Sequence, residues 1–397
     1  MSTSTTVIPA VPATEFFWRL PLGSDGPDIA SDKNNRGPLP YRPGNIAPGR
    51  LPNGEADGFT YYDYIAQVAK AAELSGFEGA LLPTGPEPWI AAAALARETR
   101  RIKFLIAFQA TWTLPAYAAE QAAVLQSISR DRVEWNIITG GVPGAQRAKG
   151  DFLEHDKRYQ RTGEFLDIVR GLWGNESFSY DGEVYRIDNG SLHPALRRER
   201  VPGIYFSGFS DAALAVAAKH ADVYLNWAEP VDKLAPHIAR VRELGAGQGR
   251  QIRFGVRVDI LARATEEEAW AEARRQYEKI DDKTIAFLDR LNKGSDSVGA
   301  ARQQAYHQSS TRFEDLIVGP NQWAGFGKAR PGPAIGLVGS YQNVAERLAE
   351  YQDAGISTFI LAGNPHLEEA FRVGQEVLPL VHAQAGRKAT DPIAQAA

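Results

Sequence analysis

The chain has 397 residues, a formal net charge of −4, an apolar share of 44% and an aromatic share of 10%. These values suit a large packed core, and without a basic stripe they give nucleic-acid binding no support. There is no cysteine, which excludes disulfides, thiolate nucleophiles and cysteine-ligated metals.

The first residues, MSTSTTVIPAVPATE, have neither a basic n-region nor an apolar run, so no signal peptide is expected. No stretch reaches 18 uninterrupted apolar residues, so no membrane span is expected either. The expected setting is the cytoplasm.

In chain order, eight short apolar runs read as strands: 16–22, 79–83, 103–108, 133–139, 203–208, 223–227, 253–262 and 358–363. Helical patterns separate them. Tyr61, Tyr64, Ile65 and Val68 have the spacing of one helix face, ending near Gly76. Comparable patterns lie at 89–99, 115–128, 157–173, 211–220, 231–244, 265–279, 342–354 and 366–381. Strands apolar on both sides and separated by helices predict a covered parallel sheet. Eight such units predict one α/β domain, a closed (β/α)8 TIM barrel spanning 15–383. Residues 1–14 and 384–397 read as flexible ends.

Three segments interrupt the repeat. Residues 23–57 are rich in Gly, Pro, Asn and Asp and follow the first strand, which places them on the face where barrel active sites form. Residues 176–200 contain FSYDGEVYRI, where Asp181-Gly182 between alternating runs predicts a hairpin. Residues 280–335 form a long insertion of the kind that often covers a site, entered through a helix and therefore not assigned to a face.

Several familiar chemistries fail on spacing. The seven histidines do not cluster and there is no HExxH pair. Ser207-Gly208-Phe209-Ser210-Asp211 is not a nucleophile elbow. Gly325-Phe326-Gly327-Lys328 precedes a proline rather than joining strand to helix, so it is no dinucleotide fingerprint. The run SGFSDAALAVAAKH is more informative: a strand ends, and a helix opens at Asp211 with backbone N–H groups suited to a phosphate. Ser210 or Asp211 as a simple helix cap explains it equally well. Asn136 and Thr139, Asn226 and Trp227, Arg257 and Asp259, and Asn364 and His366 all fall at or just past strand C-terminal ends, which converge on one mouth in a barrel. Each alone has an ordinary packing explanation. RFGVRVDILA sets the sharpest question, because its alternate face carries Arg253, Arg257 and Asp259 in a strand that should be covered on both sides.

FFWRLP, GALLPTG, WNIITG, FLEHDKRY, YFSGFSDAALAVAAKHADVYLNWAEP, IRFGVRVDILARATEEEAW, IDDKTIA, SDSVGAAR, NQWAGFGKARPGPAIGLVG and NPHLEEAFRVGQEVLP give the chain its likeness. With these stretches in family order over nearly the whole chain outside 1–14, 24–57 and the tail, it resembles the flavin-dependent alkanesulfonate monooxygenases, a branch of the luciferase-like barrels. The resemblance implies reduced FMN (FMNH2) delivered by a separate NAD(P)H-dependent flavin reductase, O2 as co-substrate, and oxidative cleavage of a sulfonate C–S bond to an aldehyde and sulfite. It also implies a homodimer or homotetramer.

By position, the resemblance puts Arg257 at the sulfonate or the activated oxygen, Arg330 on a mobile lid, Trp227 beside the substrate and Asn136 near the flavin ring. Tyr159 and Ser207, Gly208, Phe209 and Ser210 match its phosphate end, with Thr139 beside them. Four positions depart from the family pattern: Asp259 and Asn364 replace a histidine and a tyrosine, Gly23 stands where a histidine is usual, and a cysteine near PTG is missing. His366 or Asp259 remain as proton donors in place of the tyrosine. These departures, with the polar 23–57 segment, point to a hydroxylated sulfonate such as sulfoquinovose. The open alternatives are a simple alkanesulfonate, a sulfone, alkane or aldehyde substrate, and a non-catalytic flavin-binding barrel.

Overall fold

The computed structural model describes residues 13–22, 61–85, 87–196, 200–280, 282–330 and 332–390. The expectations for 1–12, Gly23, the rest of 23–57 and 391–397 fall outside those residues. Eight parallel strands close into a barrel in chain order: β1 (Glu15–Arg19), β2 (Gly79–Leu82), β3 (Lys103–Gln109), β4 (Val133–Ile138), β5 (Ile204–Phe206), β6 (Val223–Trp227), β7 (Arg253–Arg263) and β8 (Ile356–Ala362). Closure runs through β7 to β8 and β8 to β1, with Ile360 paired to Arg257 and Trp18 to Leu361. The predicted α/β barrel and all eight of its strands are present.

Alternation along each strand sorts the side chains. On β4, Val133, Trp135 and Ile137 face the helices and join the main apolar core, so Glu134 and Asn136 face inward. Trp135 stacks on Phe108 of β3 at 4.7 Å between centroids. The barrel interior holds its own small cluster of Phe17, Leu81, Leu105, Tyr205, Val223, Leu225 and Ile360. On β7, Phe254, Val256, Val258 and Ile260 pack outward, and Arg253, Gly255 and Arg257 point into the barrel. The covered strand's polar face is therefore its lumen face.

Six helices wall the first six strands: α1 (Tyr61–Leu74), α2 (Pro88–Glu98), α3 (Pro115–Ser129), α4 (His155–Gly174), α5 (Asp211–His220) and α6 (Val231–Gly247). Pro88 and Pro115 open α2 and α3, where the missing N–H costs nothing. No described helix is long and apolar enough to cross a membrane.

The predicted hairpin forms, with Asp181 paired to Arg186 and residues 182–185 as its connection. Two details differ from expectation. A ninth parallel strand, Gly336–Ser340, pairs with the distal half of β7 outside the barrel. Two glycines in five residues hid it. The last helix, Leu378–Thr390, runs into the segment read as a flexible tail.

The 280–335 insertion contains helices Asp282–Lys293 and Val298–Gln304 and lies across the C-terminal mouth. Ser295 Oγ donates to the Gly141 carbonyl just past β4 (2.6 Å). Arg302 grips Glu229 just past β6 at 3.0 and 2.5 Å. The face that sequence left unassigned is thus the functional one.

Candidate active site

The mouth is built from inward positions at the strand ends. β1 contributes Arg19, β3 Gln109, β4 Asn136, β6 Trp227 and β7 Arg257; Trp227 is level with Arg257 across the β6–β7 pairing. Asn226, one residue earlier, is buried on the helix side and is not part of this surface. Asp259 sits one layer above Arg257 and is fully buried. It pairs in register with Ala362 and with Gly336 of the ninth strand.

Arg330 Nη2 lies against Asp259 Oδ2. Among the described residues neither Asp259 oxygen has a hydrogen-bond partner, so the contact is a charge pair. The carboxylate therefore anchors Arg330 and is not open to solvent or to substrate hydroxyls. Gly332, at φ +132°, crosses over Arg257 so closely that a Cβ would come within 2.9 Å of Nη2.

Arg257 retains some exposed surface, as befits a side chain lining a recess. Burial, and then Arg19, pull its guanidinium down to about 9; Arg330 adds to this and Asp259 opposes it. Among the described residues, the charges acting on Arg257 are thus two arginines, Arg19 and Arg330, and one carboxylate, Asp259. An incoming oxyanion would pair with the Arg257 guanidinium.

His366, the first residue of a helix after β8, is 1% exposed. Burial first, then Arg19 and Arg330, push its pKa well below the ordinary histidine range. A ring N–H donates to the Arg19 carbonyl, and Nδ1 has no partner. Neutral His366 offers a lone pair to the site rather than a proton. Asn364 is half-buried, and its Oδ1 also lacks a partner.

On the opposite side of the mouth lies the Ser207–Ser210 turn. Ser210 caps α5, accepting from Ala213 N–H at 3.3 Å, and it also hydrogen-bonds the Tyr159 hydroxyl. The helix-cap reading holds, and Ser207, at the start of the turn, is exposed. Gly208 has φ +140°, and a Cβ there would meet Ala213 at 2.6 Å and the Tyr159 hydroxyl at 3.1 Å. The Tyr224 hydroxyl donates to the Gly208 carbonyl. Phe209 stacks on His237 at 4.1 Å, and Arg302 lies over the same ring at 4.8 Å. The Phe209 side chain is therefore committed to packing. Thr139 turns toward α4, its Oγ1 3.3 Å from that of Thr162.

Between these two ends, Gln109 Oε1, Thr111 Oγ1 and Asn136 Oδ1 are buried without a protein partner. Adjacent orphan atoms at the ends of β3 and β4 fit the amide-like edge of a flavin ring. Gln109, Thr111 and Arg19 were not among the residues singled out from sequence. Gln109 stands one residue beyond the run read as the third strand, and Arg19 is a single charge inside FFWRLPL. Strand register is what turns both into the lumen.

An eight-stranded barrel with polar groups converging on its C-terminal mouth is the frame of a TIM-barrel enzyme. Residues 44–358 match the luciferase-like monooxygenase family, and the chain belongs to it. It is an oxidoreductase of that family.

Solved structures with the same fold include a riboflavin lyase with modified FMN and riboflavin, at 18% identity and TM-score 0.72, over 94% of this chain and 92% of that one. The EDTA monooxygenase of Chelativorans sp. BNC1 is 17% identical, with TM-score 0.70 and 94% of both chains covered. The oxygenating constituent of 3,6-diketocamphane monooxygenase from Pseudomonas putida, in complex with FMN, is 18% identical, with TM-score 0.64 over 92% of this chain and 98% of that one. These likenesses concern the fold; their substrates differ widely.

Proposed function

We propose that the protein is a reduced-FMN-dependent monooxygenase of a small organosulfonate. The carrying observation is Arg257 at the mouth: among the described residues its guanidinium has no ion pair, while Arg330, on the segment that crosses it, is paired with Asp259. A sulfonate spreads one negative charge over three oxygens and suits guanidinium forks. Gln109, Thr111 and Asn136 would hold the flavin ring, and Ser207–Ser210 with Tyr159 its phosphate. The flavin, when bound, supplies the two electrons that activate dioxygen. The chain's own groups bind the anion, orient it and, through the insertion, exclude water.

In balance, sulfonate, O2 and reduced FMN give aldehyde, bisulfite, oxidised FMN and water, with the C–S bond broken. A separate NAD(P)H-dependent reductase would return the flavin to its reduced form. Within the sulfonates, the orphan Asn364 Oδ1 supports a hydroxylated substrate such as sulfoquinovose, while Asp259 does not, since Arg330 occupies it.

The test is sulfite release with reduced FMN over short alkanesulfonates, taurine-like compounds and sulfosugars. Turnover of at least one sulfonate is expected. Oxidation of sulfones or alkanes with no sulfite from any sulfonate would replace this reading. Equal rates on plain and sugar sulfonates would remove the hydroxylated-substrate preference.

A further inference from the structure

Helix Val298–Gln304 of the insertion touches three parts of the rim. Ser295 and Asp296, just before it, hold the Gly141 carbonyl, at 2.6 Å from the Ser295 hydroxyl and 3.1 Å from the Asp296 N–H. Gly299 comes so near the Phe209 ring that a Cβ would meet it at 3.2 Å, and Arg302 lies over that ring and binds Glu229.

The third contact is the least expected. Gln303 is 3% exposed. Its Nε2 donates to the Ala228 carbonyl at 3.2 Å, and its Oε1 accepts from the Ala334 N–H at 2.8 Å. Ala228 N–H in turn donates to the Arg257 carbonyl at 2.9 Å. The amide's orientation is fixed, because a backbone N–H can only donate. One side chain therefore ties the strand end carrying Arg257 to the segment carrying Arg330, Gly332 and Ala334. A leucine or methionine could fill the same space, so packing alone does not call for a buried glutamine. Without its Oε1, the buried Ala334 N–H would lose the acceptor it has, and an orphaned buried donor is destabilising.

We propose that Gln303 is a positioning residue for substrate binding: it seats Arg330 and Gly332 over Arg257 through hydrogen bonds to both sides of the gap. The proposal rests on the reading that those arginines take the substrate's anion.

Gln303→Met, which keeps the volume and removes both bonds, tests it in the full chain. Amide exchange at Ala334 should quicken at least tenfold, and KM for the sulfonate should rise about tenfold with kcat changed less than threefold. Gln303→Glu keeps the acceptor and should retain slow exchange at Ala334, which separates the hydrogen bond from general loosening. Wild-type exchange in the methionine variant overturns the proposal, as does faster exchange with unchanged KM. If the wild-type chain releases no sulfite from any sulfonate, the functional reading fails by itself. Exchange at Ala334 then still decides whether Gln303 holds the segment.

Discussion

Two arginines on β7, both turned into the barrel, meet opposite conditions. Arg253 lies at the floor, where Glu15 accepts from it at 2.9 Å and also pairs with Lys103. Burial lowers the Arg253 pKa, but the bonds to Glu15 and Tyr205 outweigh it and the net shift is upward. Glu15 is likewise opposed by burial, yet held below its ordinary value by the same two cations. Glu134, buried nearby, is satisfied by Arg200 at 2.8 Å and by Gly203 N–H at 2.5 Å. The floor is a closed ionic account, whereas at the mouth Arg257 has its pKa pulled down among like charges. A buried charge matched by partners belongs to the architecture. A buried surplus marks where a ligand completes the set.

The largest effect that can break this contrast is at the mouth. Arg257→Ala should lower kcat/KM for the sulfonate about a thousandfold, or about 4 kcal/mol, with the melting temperature unchanged or raised. A loss below tenfold would mean Arg257 is structural like Arg253. Glu15→Ala should do the reverse, removing about 3 kcal/mol of stability in a urea titration while leaving kcat/KM within threefold. A fall in kcat/KM as large as that of Arg257→Ala would show the two layers to be coupled.

Acid sharpens the comparison. His366 at the mouth, with His220 and His307 elsewhere, is buried and has a folded pKa well below 6.5; for the latter two it is about 4, with burial the leading cause. The unfolded chain takes up those protons first, so stability falls as pH drops below 6.5. Glu134 and Glu369, whose pKa values burial raises, act in the opposite direction. The net loss between pH 6.5 and 5.5 should be about 2 kcal/mol by urea midpoint. The floor, whose Glu15 has a lowered pKa, loses its contribution only below pH 4.5. A flat profile down to pH 5 would contradict the neutral assignment of His366.

The smallest effect is at Gly332. Gly332→Ala combines a disfavoured φ with a Cβ 2.9 Å from Arg257, and should raise KM about fivefold, or roughly 1 kcal/mol, with little change in kcat. An unchanged KM would place that segment outside the binding surface.

The barrel was legible because each strand is a compact apolar run and each helix has its own periodicity. Arg257, Asp259 and Arg330 were legible as residues, but not as an arrangement. Nothing local says that Asp259 is spent on Arg330, since the two meet only when the ninth strand lies beside β7. Arg19 and Gln109 depend on register in the same way. Gln303, in a short amphipathic stretch, gives no sign in sequence that its amide bridges two distant backbones.

Gly255 lies between the two arginines of β7. A Cβ there would come within 2.6 Å of Leu225 and 3.1 Å of Thr358, so its bareness lets neighbouring strands fill the middle of the lumen with hydrocarbon. That filling holds the two ionic layers apart by four residues of strand, about 13 Å, and this distance is what weakens the coupling between them. On the proposed function, changes at Asp259, Asn364 or their neighbours would alter the substrate while the floor stays fixed.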